Sequence, residues 1–257
     1  MTEIRPIHAE EAETFLRLMC SAFDLDFLRA RSVFFTEPYY DLTRKWALFE
    51  SGEMLSVLTT TPLIFGWGSA VGIAGVATLA SAQRQGQAAR LIARVLEHSR
   101  ESGEGPAVLF AANPRLYERL GFETVDHVLR GGLAGDDSWE LQNPLRTEQV
   151  QAIYTTWSEQ DINRLRRDER RWALWSWNFR VCSSYSDGYF ASEPGALREA
   201  IFSSQPVAMP LPEHSEWFGQ SRVSDLLELS LRAPQRELHL MTRQCPGVPL
   251  MFMTDQF

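Results

Sequence analysis

The sequence is poor in cysteine and has no long apolar run. Among its 257 residues only Cys20, Cys182 and Cys245 are cysteines, and they lie far apart. An odd number at these spacings excludes a disulfide framework and a zinc knuckle, and favours buried or free thiols in a reducing compartment. No apolar stretch approaches the roughly 20 residues of a membrane-spanning helix, and the acidic N-terminus lacks the apolar core of a signal peptide. We therefore expect a cytoplasmic protein without a membrane partner.

Basic charge is also scarce. The chain has 25 lysines and arginines against 33 acidic residues, a net charge of −8, so we expect no nucleic-acid partner. The basic and aromatic segment "RLRRDERRWALWSWNFR" (164–180) alone suggests such a partner. Its tryptophans at 172 and 175 have helical spacing, however, which favours a buried tryptophan face beside a solvated arginine face. The histidines lack metal-ligand spacing, and we expect no metal.

The first half of the chain alternates between strand and helix patterns. Residues 2 to 133 predict the element order β-α-α-β-β-β-α-β-α-β, with a hairpin at Gly52 and a helix over 87–102 that ends at Gly103. This order predicts an α/β fold in which helices flank a mixed, mostly antiparallel sheet.

A linker is predicted over residues 134–145, "AGDDSWELQNPL". A chain of this length can form two domains of roughly 120 residues, and we expect one over 1–135 and another over 136–257. The second contains helical patterns, including one over 221–232, and the apolar segment "VPLMFMTDQF" predicts a closing strand.

The stretch "VATLASAQRQGQAARL" (76–91) runs from a strand through a loop into a helix. Gly86 and two following alanines leave the first N–H groups of that helix uncovered, at the positive end of its dipole, which is a site for an anion. Arg84 and Arg90 flank it with guanidinium groups that suit phosphate. Neither a Walker loop nor a dinucleotide fingerprint is present, and a plain strand–turn–helix stays open as the alternative.

Two motifs in this part of the chain resemble those of a known superfamily. Gln83-x-x-Gly86-x-Ala88 resembles the Q/R-x-x-G-x-G/A signature of the GNAT acyl-CoA N-acetyltransferases, and "LYERLGF" (116–122) resembles their Y-x-x-x-G-F closing motif. "VATLASAQRQGQ" and "NPRLYERLGF" are most similar to the first domain of enhanced-intracellular-survival (Eis) type acetyltransferases. "INRLRRDERRW" resembles their second, degenerate GNAT-like domain. The chain ends well short of the three-domain length, so we do not expect their sterol-carrier-like third domain.

The resemblance implies acetyl-CoA as co-substrate and an amine of a small molecule or peptide as acceptor, and leaves an oligomer open. It implies that the main chain of Val76, Ala77 and Thr78 pairs with the pantetheine arm. Ala112 and Asn113 are implied to lie near its acetyl end. The implied pyrophosphate-binding backbone comprises Arg84, Gln85, Gly86, Gln87, Ala88 and Ala89.

Two catalytic residues are implied by the same resemblance. Tyr117 would protonate the departing thiolate, although a tyrosine between Leu116 and Leu120 is also typical of a core. A chain-terminal carboxylate, here that of Phe257, would serve as base, with water as base and a terminal strand as the alternative. The expected function is acetyl transfer to a primary amine by direct attack, with the acceptor entering beside residues 23–40. A GNAT-fold module that binds acyl-CoA or regulates without turnover is the alternative.

Overall fold

In the part of the chain that the computed structural model of the protein describes, eleven strands form one continuous sheet. The structure describes residues 2–133, 145–178, 182–185, 188–193, 195–202 and 215–257. The predicted linker therefore lies outside the described residues, except for Leu145.

The first half follows the predicted order of elements. Its elements are β1 Thr2–Pro6, α1 Ala12–Phe23, α2 Phe27–Phe34, β2 Lys45–Glu50, β3 Glu53–Phe65, β4 Gly68–Thr78, α3 Gln87–Glu101, β5 Ala107–Ala111, α4 Arg115–Glu118 and β6 Glu123–Gly132. Side chains alternate between the two faces of each strand. On β2, Trp46 and Leu48 pack in the cluster of α3, whereas Ala47 and Phe49 pack in the cluster of α1 and α2. The helices therefore flank both faces of the sheet, and the predicted α/β fold is confirmed.

The second half contains strands that the sequence did not predict, and it departs from two predicted elements. Its elements are α5 Thr147–Glu159, α6 Glu169–Asn178, β7 Ser183–Tyr185, β8 Gly188–Glu193, β9 Ala196–Ile201, β10 Glu216–Gln220, α7 Ser221–Leu226 and β11 Arg232–Arg243. Helix α7 is half the predicted length, and Glu228 beyond it has a positive φ of 48°. The predicted closing strand is wrong: Leu250 makes one isolated bridge, and Met253–Asp255 form a 3-10 helix. Pro246 and Pro249 lack the N–H groups that a strand needs at those positions.

The strand order crosses between the two halves of the chain. The order is β1-β2-β3-β4-β5-β11-β6-β10-β9-β8-β7, and among these neighbours only β4–β5 and β9–β10 are parallel. Strand β11 lies between β5 and β6, so a strand from the second half completes the sheet of the first. The division at residue 135 stays a prediction, because the sheet continues across it.

The tryptophans of α6 are buried, as their spacing predicted. Trp172 and Trp175 lie in the core of the second half, and Trp177 is half-buried. The predicted solvated arginine face is wrong for Arg167 and Arg171, whose side chains are 0% and 2% exposed, whereas Arg166 is exposed as predicted. Arg167 and Arg171 form buried ion pairs. The spacing of tryptophans predicts which face is apolar, but it carries no information about partners that are distant in sequence.

Two composition-based expectations concern thiols and membranes. Cys20 and Cys182 are buried and Cys245 is half-buried, and all three are free, as their spacing predicted. In the described part of the chain, no helix combines the length and the apolar character needed to cross a membrane.

Candidate active site

The central feature of the site is a gap between β4 and β5. The two strands pair only from Val71 to Ile73 on β4, opposite Ala107 to Leu109 on β5. Beyond this point β4 stays paired with β3, whereas β5 follows β11, with Ala111 opposite His239. The strands therefore diverge, and main-chain groups on the β5 side of β4 have no strand partner.

The space between the diverging strands has a volume of about 620 Å³. We call it the β4–β5 gap. Its lining residues are Phe23, Ile73, Ala74, Gly75, Val76, Phe110, Ala111, Ala112, Asn113, Arg115, Leu116, Tyr117, Arg119 and Leu238. Leu116 and Tyr117 pack in the cluster of α3, and Phe110 belongs to clusters on the other face. The gap is thus bordered by residues from both faces of the sheet.

A bulge shapes the edge of β4 at the gap. One extra residue lies between the pairs Ala74–Thr59 and Ala77–Val57, and Gly75 at this bulge has a φ of +59°. A Cβ on Gly75 would lie 2.5 Å from Cε of Met19. Glycine satisfies both the left-handed backbone and the close packing.

Val76, Ala77 and Thr78, the residues expected to pair with a pantetheine arm, differ in the direction of their main-chain N–H and C=O groups. The carbonyl of Ala77 accepts a 2.9 Å bond from the Ser56 hydroxyl on β3, and the N–H of Leu79 donates to Leu55 O on β3 at 2.8 Å. Main-chain groups alternate between the edges of a strand. Val76 and Thr78 therefore face the open edge, whereas Ala77 faces β3.

The start of α3 is open to solvent. Arg84 and Gly86 both have left-handed backbones, with φ of +61° and +81°. Gly86 is the N-cap, no side chain caps the helix, and a Cβ on Gly86 would have no neighbour within 4 Å. The first N–H groups of α3 are thus uncovered, as the sequence predicted, and the helix dipole makes them suitable for an anion.

The side chains around this helix start have different exposures. Gln85 and Arg90 are exposed, Ala88 and Ala89 are half-buried, and Gln87 is buried. The amide oxygen of Gln87 accepts a 3.0 Å bond from Arg90, so Gln87 offers only its main chain to a ligand.

The other predicted residues lie at the end of β5. Ala112 and Asn113 line the gap, and the side-chain oxygen of Asn113 accepts a 3.1 Å bond from Arg115 N–H. This bond satisfies a free N–H at the start of α4. Tyr117 on α4 also lines the gap, with its ring 6.1 Å from that of Phe122, and burial raises the pKa of its hydroxyl above the usual 10.

The comparisons with known proteins agree with this geometry. Residues 3–125 match the sequence model of the acetyltransferase (GNAT) domain. This part of the chain is a GNAT acetyltransferase domain. No curated protein sequence matched the chain.

Solved structures show that the fold extends beyond the GNAT domain. A GCN5-related N-acetyltransferase from Kribbella flavida is 17% identical with a TM-score of 0.74, over 94% of this chain and 70% of that one. One from Anabaena variabilis is 16% identical with a TM-score of 0.69, over 95% and 72%. Eis1 from Mycobacterium abscessus is 17% identical with a TM-score of 0.61, over 93% and 73%. At these identities the similarity concerns the fold, and it includes the Eis type to which the motifs pointed.

The last residue of the chain packs against the GNAT domain. The ring of Phe257 lies 5.8 Å from that of Phe110, and a Cβ on Gly72 would lie 2.7 Å from the Phe257 ring. Gly72 is in the last stretch of β4 that still pairs with β5. Phe257 therefore lies beside the beginning of the β4–β5 gap, next to a residue of its wall.

A buried ion-pair cluster holds the segment that carries Phe257. Arg167 pairs with Glu199 and Asp255, each at 2.7 Å, and all three side chains are fully buried. Glu199 also accepts hydrogen bonds from Tyr189, Thr254 and Trp175. Burial alone raises the pKa of Glu199, but Arg167 and these donors outweigh it and lower the pKa.

Several residues at the gap were not predicted from the sequence. Phe110, Leu238 and Gly72 carry no motif, and they come from β5, β11 and β4, whereas Phe23 is the first residue of the predicted acceptor entrance. Only the glycine-rich "VGIAGVA" run could have signalled Gly72 and Gly75, as glycines within a strand often mark a bulge or a close approach.

Proposed function

We propose that the chain is an acetyl-CoA-dependent N-acetyltransferase that acts on a primary amine of a small molecule or peptide. The observation that carries this proposal is the β4–β5 gap, which is bordered from both faces of the sheet and contains Tyr117. Acyl transfer between two substrates needs such an arrangement, because the amine nitrogen must reach one face of the thioester carbonyl while both substrates are held together.

The co-substrate would bind through main-chain groups at two positions. The open edge of β4 at Val76 and Thr78 suits an amide-rich arm, which would pair with it like an added strand. The uncovered start of α3, from Arg84 to Ala89, suits a pyrophosphate. Ala112 and Asn113 would then border the acyl end of the arm.

The reaction forms one bond and breaks one. The neutral amine nitrogen attacks the thioester carbonyl carbon, a C–N bond forms, and the C–S bond breaks with its electron pair going to sulfur. A backbone N–H of β4 would stabilise the negative charge that develops on the carbonyl oxygen. The leaving thiolate takes a proton from Tyr117, and the amine loses a proton to a base.

Burial supports the role of Tyr117 as an acid. Because burial raises its pKa above 10, its hydroxyl stays protonated at neutral pH and is available to donate. For the base, the position of the Phe257 ring beside the gap supports the α-carboxylate of a chain that ends at this residue. Water is the other base that the proposal admits.

The acceptor side of the gap is apolar and aromatic. Phe23, which is 47% exposed, lies at its rim with Leu238 and Phe110. Arg170 on α6 holds the neighbouring segment, since its Nε donates to Pro38 O at 2.9 Å and it pairs with Asp41 at 3.3 Å. An amine acceptor entering beside residues 23–40 would therefore meet a wall that the second half supports.

Thiol release from acetyl-CoA in the presence of polyamines, aminoglycosides and amino acids tests the proposal. Amine-dependent thiol release, with an acetylated amine detected by mass spectrometry, is the expected result. Binding of acetyl-CoA without turnover across the panel would instead favour a binding or regulatory module. Acetylation of hydroxyl groups alone would contradict the proposed acceptor.

A further inference from the structure

A second concave surface is lined by residues of α3, of the turn after α4 and of β11. It has a volume of about 580 Å³, and its charged lining residues are Arg94, Arg100, Arg119, Arg243 and Glu97. We call it the arginine groove. Four guanidinium groups and one carboxylate line it. This local excess of positive charge contrasts with the net charge of −8 of the whole chain.

Three of the four arginines have no acidic partner in the part of the chain that the structure describes. Arg94 pairs with Glu97 at 2.9 Å and lies 4.0 Å from Glu101. Among the residues that the structure describes, no carboxylate forms an ion pair with Arg100, Arg119 or Arg243. The groove therefore keeps an excess of positive charge that neighbouring side chains do not neutralise.

The main chain holds one of these arginines in position. The Nε of Arg243 donates to Leu120 O at 3.1 Å, and a Cβ on Gly121 would lie 3.5 Å from that nitrogen. Gly121 has a φ of +80° and ends the turn after α4. Arg243 comes from β11, so the groove is complete only when the second half of the chain has inserted into the sheet.

The chemistry of the groove selects its ligand class. Guanidinium groups present planar pairs of N–H donors that match phosphate oxygens. Three guanidinium groups without an acidic partner suit a dianionic group better than a single carboxylate. We propose that the arginine groove binds a phosphate monoester.

The groove adjoins the β4–β5 gap, because Arg119 lines both. Arg94 lies eight residues after Gly86, which is about 12 Å along the helix. The phosphate monoester could thus be the ribose phosphate of a bound CoA molecule, and this source rests on the proposed function. A free phosphorylated small molecule is the other source, and it does not depend on the proposed function.

Calorimetric titrations with CoA and with dephospho-CoA, which lacks the ribose phosphate, test whether the groove binds the ribose phosphate of CoA or a free phosphorylated molecule. The test variant is Arg94→Gln/Arg100→Gln, whose two arginines line the groove and not the β4–β5 gap, and the matched control is Arg29→Gln/Arg146→Gln, which removes two exposed arginines outside the groove. If the groove holds the ribose phosphate, the test variant loses roughly tenfold or more in CoA affinity. Its affinity for dephospho-CoA, and both affinities of the control, stay as in the wild type.

Inorganic phosphate is the probe for a free ligand. If it raises the Tm of the wild type in the presence of saturating dephospho-CoA, and not that of the test variant, the groove binds a free phosphate group. If the protein binds neither CoA nor dephospho-CoA, but phosphate still raises the Tm of the wild type and not that of the test variant, the proposed function is refuted and phosphate binding in the groove is supported. Equal behaviour of the test variant and the wild type toward all three probes would overturn the proposal.

Discussion

Tyr117 combines a packed ring with a hydroxyl that is protonated at neutral pH. Its ring packs against Phe122, the residue lines the β4–β5 gap, and burial raises the pKa of its hydroxyl. The core interpretation and the catalytic interpretation of this tyrosine are therefore compatible, since the ring can pack while the hydroxyl donates.

Removal of that hydroxyl separates the two interpretations. In the Tyr117→Phe variant the ring and its packing stay, so CoA affinity and Tm should stay near the wild-type values. Turnover should fall by roughly 10²-fold, the usual scale for a positioned acid. Steady-state kinetics with the best amine of the panel measures this, and full activity in the variant would remove Tyr117 from the mechanism.

The pH dependence follows from the same shift. Because the pKa of Tyr117 is raised above 10, the acid stays protonated through the neutral and mildly alkaline range. Turnover should therefore rise with pH as the amine and its base lose protons, without a decline before about pH 10. A kcat profile from pH 6 to 10 checks this, and a fall near pH 7 or 8 would assign the acid to another group.

Gly86 tests the anion site at the start of α3. Gly86→Asp adds a side chain and a negative charge where the pyrophosphate would bind, so the rise in Tm caused by acetyl-CoA should disappear. Gly103→Asp at the other end of the same helix is the matched control, because Gly103 also has a φ of +81° and no neighbour within 4 Å of a Cβ. Both variants should lose about 1–2 kcal/mol from the left-handed backbone, but only the control should keep the acetyl-CoA effect.

At the scale of elements, β4 and the C-terminal segment form the site together. Glycines at 72 and 75 allow the ring of Phe257 and the side chain of Met19 to approach the β4 backbone from nearby segments. The segment that carries Phe257 has little regular structure of its own. Its position depends on partners in other elements, above all on Arg167.

Two changes at Phe257 distinguish its possible roles in a recombinant chain that ends at this residue. Phe257→Leu replaces the ring and keeps the terminal carboxylate, whereas deletion of Gln256 and Phe257 shortens the chain. If the carboxylate is the base, the deletion should lower kcat by roughly 10²-fold, and Phe257→Leu should mainly raise the KM of the amine. Unchanged kcat in a folded deletion variant would leave water as the base.

At the scale of the whole molecule, β11 and the buried ion-pair cluster join the two halves. Strand β11 completes the sheet beside the gap, and Arg167 joins Glu199 of β9 to Asp255 near the C-terminus. We therefore expect the active site and the stability of the second half to depend on each other.

Replacement of Arg167 measures this dependence. Arg167→Leu leaves the buried Glu199 without its cation and leaves Asp255 only Arg171, at 3.8 Å, which should lower the free energy of unfolding by about 3–5 kcal/mol. Arg130→Leu is the matched control, because Arg130 also contacts two carboxylates, at 3.2 and 2.7 Å, but its side chain is 37% exposed. Its loss should be about 1 kcal/mol or less. Urea denaturation of both variants checks the difference, and equal losses would contradict the role of the cluster.

The sequence determined those features that depend on neighbours along the chain. The order of elements in the first half, the exposed start of α3 at Gly86 and the burial of Trp172 and Trp175 follow from local periodicity, small residues and turn glycines. The two motifs also predicted the GNAT domain, because each combines a local backbone requirement with a fixed spacing.

The tertiary structure decided the features that join distant segments. The insertion of β11, the burial of Arg167 and the position of Phe257 beside Gly72 depend on contacts across more than 80 residues of sequence. Local sequence patterns do not identify such partners, because an arginine of a solvated helix face and an arginine of a buried ion pair can occur in the same pattern. For the same reason the sequence predicts a strand for the closing segment, whereas contacts with residues distant in sequence hold this segment against the β4–β5 gap.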